Sequence, residues 1–365
     1  MAAGFSRWGN DLHTGRRSYN IVGKRRNFYI ASAVMVLLAL VVLLTRGFNL
    51  GIEFRGGSEF TIDGVSTQNQ EIAAEAVASV APNEVPRIST VGESALRIQT
   101  AELTDVEVGE VRVALAEAYE VPETQVTSSF IGPSWGKDVS QKAITGLVVF
   151  LVLVGIVMTL YFRAWRMALA AILALFHDLV ITAGVYALIG WEVTPATVIG
   201  FLTILGYSIY DTVVVFDKVR ENTDDVLEQS RTTYEEQANL AVNQTLVRSI
   251  NTSVVALLPV AAILFIGAFV LGAGTLRDIA LALFVGMAVG TYSSIFLATP
   301  LEVSLRSTEE ATAAHTAKVL EARTAAAAGA ESGEGAAPAL AFAGHLRPGS
   351  HQGHQAQPRK RKNGR

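Results

Sequence analysis

Ala196-Thr-Val-Ile-Gly-Phe-Leu-Thr-Ile-Leu-Gly-Tyr-Ser-Ile-Tyr-Asp-Thr-Val-Val-Val-Phe-Asp217 is apolar and long enough to cross a lipid bilayer, yet it holds an acid at Asp211. A hydrocarbon core roughly 30 Å thick takes about 20 helical residues. Five further stretches meet the same standard: 28–45, 143–162, 167–189, 248–269 and 277–299. The expected fold is therefore an α-helical polytopic membrane protein with six transmembrane helices. Composition agrees, since half of the residues are hydrophobic, 17% are charged and mean hydropathy is +0.37. A soluble domain has a very different balance.

The first stretch follows Arg16, Arg17, Lys24, Arg25 and Arg26, so a signal peptide has to be weighed. Its apolar run exceeds the roughly 7–15 residues of a signal core, and Leu43-Leu-Thr-Arg46 lacks a small-x-small cleavage pattern. A retained anchor is expected. Basic residues in short flanking segments mark the cytoplasmic side. They collect at the N-terminus, at Arg163 and Arg166, and at Lys218 and Arg220, while 190–194 and 267–274 contain none. Both termini are thus expected inside the cytoplasmic membrane, with Trp165 and Trp191 near its interfaces. Cysteine is absent, which excludes disulfides and thiolate metal sites. No metal or cofactor is expected.

Residues 46–142 turn polar and are too patterned for a loop. Strands are expected at 58–62, 86–91, 95–100 and 125–131. Helices are expected at 68–80, with Ile72, Ala76 and Val80 on one face, and at 104–119, capped by Thr104. The order β-α-β-β-α-β is the ferredoxin-like, split βαβ pattern. The organisation expected is a cytoplasmic N-terminus (1–27), helix 1 (28–45), an extracytoplasmic α+β domain (46–142), helices 2 to 6 (143–299) and a cytoplasmic, largely disordered tail (300–365). The tail ends in Arg359-Lys-Arg-Lys362. That cluster reads as a solvated end reinforcing the inside orientation, ahead of a contact with anionic lipid or ribosomal RNA.

Ionisable groups inside spans cost several kcal/mol and mark function. His177, Asp178, Asp211 and Arg248 qualify. Asp211 and Arg248 fall at comparable depth and could pair, and an acid whose partner comes and goes suits a proton-coupled machine. A static salt bridge is the plainer reading. Ser208, Thr212, Asn251 and Thr252 would add interhelical hydrogen bonds to this polar seam. Gly200, Gly206, Gly286 and Gly290 offer flat surfaces for helix packing. Asp217, Lys218, Arg220 and Glu221 lie at a helix exit where charges reach water. Phosphate loops and His-Glu-x-x-His are absent from the chain, which argues against a nucleotide-driven engine.

Gly51-Ile-Glu-Phe-Arg-Gly-Gly57, His177-Asp178, Gly206-Tyr-Ser-Ile-Tyr-Asp-Thr-Val-Val-Val-Phe-Asp-Lys-Val-Arg-Glu221 and Arg248-Ser-Ile-Asn-Thr-Ser253, in this order, resemble the SecF family of the bacterial Sec export machinery. The resemblance covers about residues 20–305. It implies membership with SecD in the RND superfamily and an RND-like half in the membrane. It also implies a SecD partner, a nearby SecYEG translocon and cooperation with the ATPase SecA. The translocating preprotein is the cargo, no nucleic acid is bound, and the proton motive force supplies the energy. The family's intramembrane acid and arginine map onto Asp211 and Arg248, implying proton passage or its gating. Tyr210 departs from the asparagine common before that acid, which puts the hydrogen bonds around Asp211 in question. The tail resembles those of high-GC Gram-positive members.

Arg55-Gly56-Gly57 reads as a tight membrane-proximal turn, with a hinge transmitting motion as the alternative. Three rival functions stand beside the export subunit: half of an RND transporter for lipids or drugs, a non-conducting scaffold, and an intramembrane hydrolase using His177 and Asp178. The single outer domain argues against the first. No serine nucleophile lies beside that pair in the sequence, which argues against the last.

Overall fold

The computed structural model describes residues 2–92, 94–268 and 274–331. An N-terminal helix α1 (Ala2–His13) precedes the first span, α2 (Arg25–Arg46). A two-residue strand β1 (Asn49–Leu50) and a one-turn helix α3 (Ile52–Arg55) lead into a small α/β unit. It comprises β2 (Gly57–Asp63), α4 (Gln70–Val80), β3 (Arg87–Val91), β4 (Ala95–Thr100), α5 (Asp105–Ala118) and β5 (Val126–Ile131). The other spans are α6 (Pro133–Phe162), α7 (Trp165–Ile189), α8 (Pro195–Thr223), α9 (Tyr234–Ala262) and α10 (Gly274–Ser293), with a short strand β6 (Glu192–Val193) between α7 and α8. Both α9 and α10 run on as π-helix, at Ile263–Ala268 and Ser294–Ala298. Helices α11 (Thr299–Arg306) and α12 (Glu310–Glu331) follow. Among the described residues, six helices are long and apolar enough to cross a membrane.

The small unit has the expected element order. Its sheet runs β3-β4-β2-β5 with every pairing antiparallel, and Phe60 faces Ile98 on one side and Ser128 on the other. Alternation decides which face is dry: Phe60 and Ile62 of β2 and Leu96 and Ile98 of β4 are fully buried against Ala73, Val77, Val111 and Leu115 of the two helices. Thr104 caps α5 in a reciprocal box with Glu107, and Asn69 caps α4. The opposite face keeps Glu59, Arg97 and Gln99, which meet the membrane block.

One boundary shifts from that expected. Helix α6 begins at Pro133, not 143, because proline suits the first helical turn and Gly136 lets the backbone close on Phe54 and Gly56. Helix α9 begins at Tyr234, capped by Thr233 and Glu236, and carries a polar stretch ahead of the apolar one. The tail, expected to be helical beyond about Leu301 before it turns largely disordered, is helical through Glu331. Helix α12 is held by Arg323, bidentate on Glu236 at 2.7 and 2.8 Å, and by His315 on the carbonyl of Gln229. The remainder of the tail, with Arg359–Lys362, lies outside the described residues.

Helix α7 is the centre of the block. Two-thirds of its most apolar window is buried, against 11% for α2 and 6% for α6. A helix apolar all round belongs in an interior, and alanines at 168, 170, 171 and 174 let neighbours approach it closely. Gly286 and Gly290 serve the close packing expected of them, against Ile204 and Ser208, and Gly200 lies against Ala282. Gly206 does not: a methyl there would meet nothing within 4 Å, because that side of α8 is unpacked. Gly184, on α7 against Ala39 of α2, has the role instead.

Candidate functional site

Helices α7, α8 and α10 converge on a buried acid. Asp178 is fully buried and accepts hydrogen bonds from Ser208 Oγ of α8 at 2.6 Å and Ser293 Oγ of α10 at 2.7 Å. His177 Nδ1 lies 3.0 Å from its other oxygen. Gly290 makes the approach possible, since a Cβ there would press on Ser208 at 3.1 Å. One helical turn towards the other end of α8, Asp211 is 3% exposed and accepts from Ser294 Oγ. The polar line continues outward: Tyr207 Oη donates to Ser253 Oγ of α9 at 3.3 Å, and Thr291 Oγ1 donates to the same oxygen at 2.7 Å.

The expected seam therefore divides in two. His177, Asp178, Ser208 and Asp211 come together around α10, while Arg248, Asn251 and Thr252 line an open cavity of about 640 Å³ shared with Gly9, Asn10 and His13 of α1. Arg248 is exposed, and no hydrogen bond or ion pair joins it to Asp211 among the described residues. The rotation of α9 is the cause: its Ser249 and Ser253 face inward and Arg248 faces α1. Thr212 is buried without forming a seam hydrogen bond among the described residues. Tyr210 is 55% exposed and points away from Asp211, so the departure at that position leaves the acid's bonding untouched. The sequence reading missed Ser253, Thr291, Ser293 and Ser294. The signal was the hydroxyl run Thr291-Tyr-Ser-Ser294 inside an otherwise apolar span.

At the other end, the first span is tied to the loop between α7 and α8. Strand β1 pairs in parallel with β6, and Arg46 donates to the carbonyl of Leu188 at 2.8 Å. Glu192 in that loop reaches the sheet: Gln99 Nε2 donates to Glu192 at 2.6 Å and to Glu59 at 2.9 Å, with Arg97 between the two acids at 3.6 and 3.7 Å. Arg55 is exposed, and Gly56 and Gly57 both have positive φ (79° and 135°). A Cβ on Gly57 would also strike the carbonyl of Thr100, so the tight turn alone requires both glycines.

Glu53 sits under this contact with Oε2 buried and unpartnered among the described residues. Burial first, then the carboxylates of Glu192 and Glu59, push its carboxyl above the usual range. The native junction thus holds the neutral acid better than the unfolded chain does. Stability falls as pH rises from the ordinary carboxylate range through the raised value, and the cost is complete above it. Glu53→Gln should raise the melting temperature at neutral pH and lose that advantage in acid. An equal shift at both pH values would refute the assignment.

At the opposite end, Asn239 Oδ1 accepts from the amides of Ile21 and Val22, and Asn243 exchanges two bonds with the backbone of Tyr19. Arg25 pairs with Glu235 at 2.8 Å, and Arg166 pairs with Glu309. The N-terminal segment, the basic loops and α12 all gather there.

Comparison with known proteins bears on this arrangement. Residues 111–308 match the family described as protein export membrane protein SecD/SecF, C-terminal, and residues 41–63 match the SecD/SecF GG motif. The chain belongs to the SecD/SecF family. It is 48% identical over 335 residues to the protein translocase subunit SecF of Streptomyces coelicolor, covering 92% of this chain and 89% of that one. SecF of Mycobacterium tuberculosis strain H37Rv is 43% identical over 322 residues, covering 86% and 72%. Both relatives come from high-GC bacteria, and the likeness places this chain on the SecF side of the family. The crystal structure of SecDF, a translocon-associated membrane protein from Thermus, superposes with a TM-score of 0.70 at 33% identity, covering 80% of this chain and 39% of that one. A second SecDF structure, in a super-membrane-facing form, gives a TM-score of 0.59 at 32% identity, covering 82% and 40%. The GG motif falls on the turn at Gly56-Gly57, and the C-terminal family region contains every member of the buried seam.

Proposed function

We propose that this chain is an accessory subunit of the Sec translocase, working with SecD to promote preprotein export at the expense of the proton motive force. The observation that carries the reading is Asp211: a buried acid, held by one serine hydroxyl, in a chain whose relatives are translocase subunits. The fused SecDF relative, of which this chain matches 39%, supports a separate SecD partner supplying the rest. SecYEG is the docking target and SecA the earlier motor in this scheme.

Orientation follows from charge. The end that gathers the basic N-terminal segment, Arg163, Arg166 and α12 faces the cytoplasm, and the α/β domain faces outward. Protonation of Asp211 neutralises a buried charge and loosens its hold on Ser294, so α8 shifts against α10. Because Glu192 lies just before α8 and is bound to Gln99, that shift is delivered to the sheet of the outer domain. Arg248 gates access from its open cavity, where an acid from a partner helix can neutralise it.

The test is export into vesicles containing SecYEG with this chain and SecD, with and without an imposed proton gradient. Gradient-dependent stimulation that needs this chain is the expected result. Stimulation that persists when the gradient is collapsed would leave a scaffold role in its place.

A further inference from the structure

We infer that His177 and Asp178 form a second proton-exchanging site, tied to Asp211 through the consecutive hydroxyls of Ser293 and Ser294. The inference extends the proton-driven reading above and assigns it a second acid.

Asp178 is deeper and better held than Asp211. Its carboxylate takes donors from α8 and α10 besides its own neighbour, so it clamps three helices at one point. His177 is 5% exposed, its ring stacks on Tyr292, and its Nε2 is buried with no partner among the described residues. A buried polar atom without a partner costs free energy and asks for a role. With a proton shared across Nδ1 and Asp178, the pair is either acid and neutral imidazole or carboxylate and imidazolium. Both forms carry no net charge, so the proton is kept in an apolar interior without a lone ion. In both forms Nε2 carries a hydrogen, so it is the atom that delivers a proton, leaving a neutral imidazole whose Nδ1–H donates to the carboxylate, and the atom at which that proton is taken up again.

The serines supply the link. A hydroxyl donates one hydrogen at a time, and each serine has two acceptors within reach. Ser293 Oγ lies 2.7 Å from Asp178 and 3.2 Å from the carbonyl of Gly290. Ser294 Oγ lies against Asp211 and 3.2 Å from the carbonyl of Thr291. An ionised acid claims its serine. A protonated acid becomes a donor, and the serine turns to its own helix and accepts. Two such rotors stand side by side where α10 opens into the π-helix Ser294–Ala298, and π-turns inside helices recur at functional sites. One segment therefore reads both acids, and the state of one changes the hold on the other.

Among the described residues, the other ionisable groups that flank the pair on the packed helices have partners of their own. Asp211 of α8 is the linked acid and Tyr207 is bonded to Ser253. Tyr292 of α10 stacks on the imidazole. Tyr29 of α2 is engaged with Ser304, Tyr161 of α6 with Asp217, and Glu302 of α11 with Tyr234.

The experiment is infrared difference spectroscopy of the full chain in lipid nanodiscs, following the carboxylic C=O stretch as pH is stepped. Two titrating bands are expected, one lost in Asp178→Asn and the other in Asp211→Asn. Ser293→Ala removes a hydrogen bond to the ionised acid and should raise the proton affinity of Asp178 about tenfold. Asp211→Asn should displace the Asp178 midpoint as well. If Asp178→Asn does not insert, His177→Gln keeps the acid and must move the same band. A band from Asp178 that never changes with pH overturns the site, and a midpoint indifferent to Asp211→Asn overturns the link. Neither readout uses export, so the failure of gradient-driven export would count against the proposed function alone.

Discussion

Asp211→Asn should abolish the gradient-dependent part of export while leaving the subunit assembled. The substitution keeps the shape of the side chain, and the amide oxygen can still accept from Ser294, so α8 and α10 stay joined. What is lost is the exchange between a charged and a neutral form, the only property that couples this position to a proton gradient. Export rates in the variant should match those of wild type with the gradient collapsed, at equal subunit levels in the membrane. Asp211→Glu tests the same point from the other side, since it restores titration on a longer arm and should recover part of the response. Normal export by Asp211→Asn would remove the acid from the mechanism. Arg248→Gln is a separate case: because Arg248 lies on the far side of α9, its loss should leave the helix bundle's stability unchanged and alter only the response to the gradient.

The parts of this architecture that were legible in the sequence are those that one physical quantity specifies locally. Six spans follow from hydropathy, because lipid demands an unbroken apolar length. The helix start at Pro133 was not legible by that route, since hydropathy sees only the portion in lipid and this helix runs on through polar residues. The order of strands and helices in the α/β domain came from alternation and capping, which are also local. Asp178 and Asp211 stood out because charges in spans are rare, but their common partner did not. Ser293 and Ser294 acquire meaning only when α10 packs beside α7 and α8. Arg248 shows the same limit: sequence gives its depth, whereas the rotation of α9 about its axis depends on Ser249 and Ser253 finding the interior.

Glycines give the sharpest contrast between pattern and packing, and the second large effect. Gly184→Ala should destabilise the block, while the identical change at Gly206 should not. A methyl at 184 would lie 2.7 Å from the Cα of Ala39, which is backbone and cannot turn aside, so α2 and α7 must part. Overpacking of this kind costs about 1–3 kcal/mol. Little compensates it, because between membrane helices close contact is itself the main source of attraction. At 206 nothing lies within 4 Å, and alanine is the better helix former by roughly 0.5–1 kcal/mol. Unfolding followed in lipid nanodiscs should therefore move in opposite directions for the two variants. Equal effects would mean that α2 does not seat on α7 as described. Since Arg46 and β1 link the end of α2 to the loop bearing Glu192, Gly184→Ala should also loosen the α/β unit, read as faster amide exchange in β2 and β4.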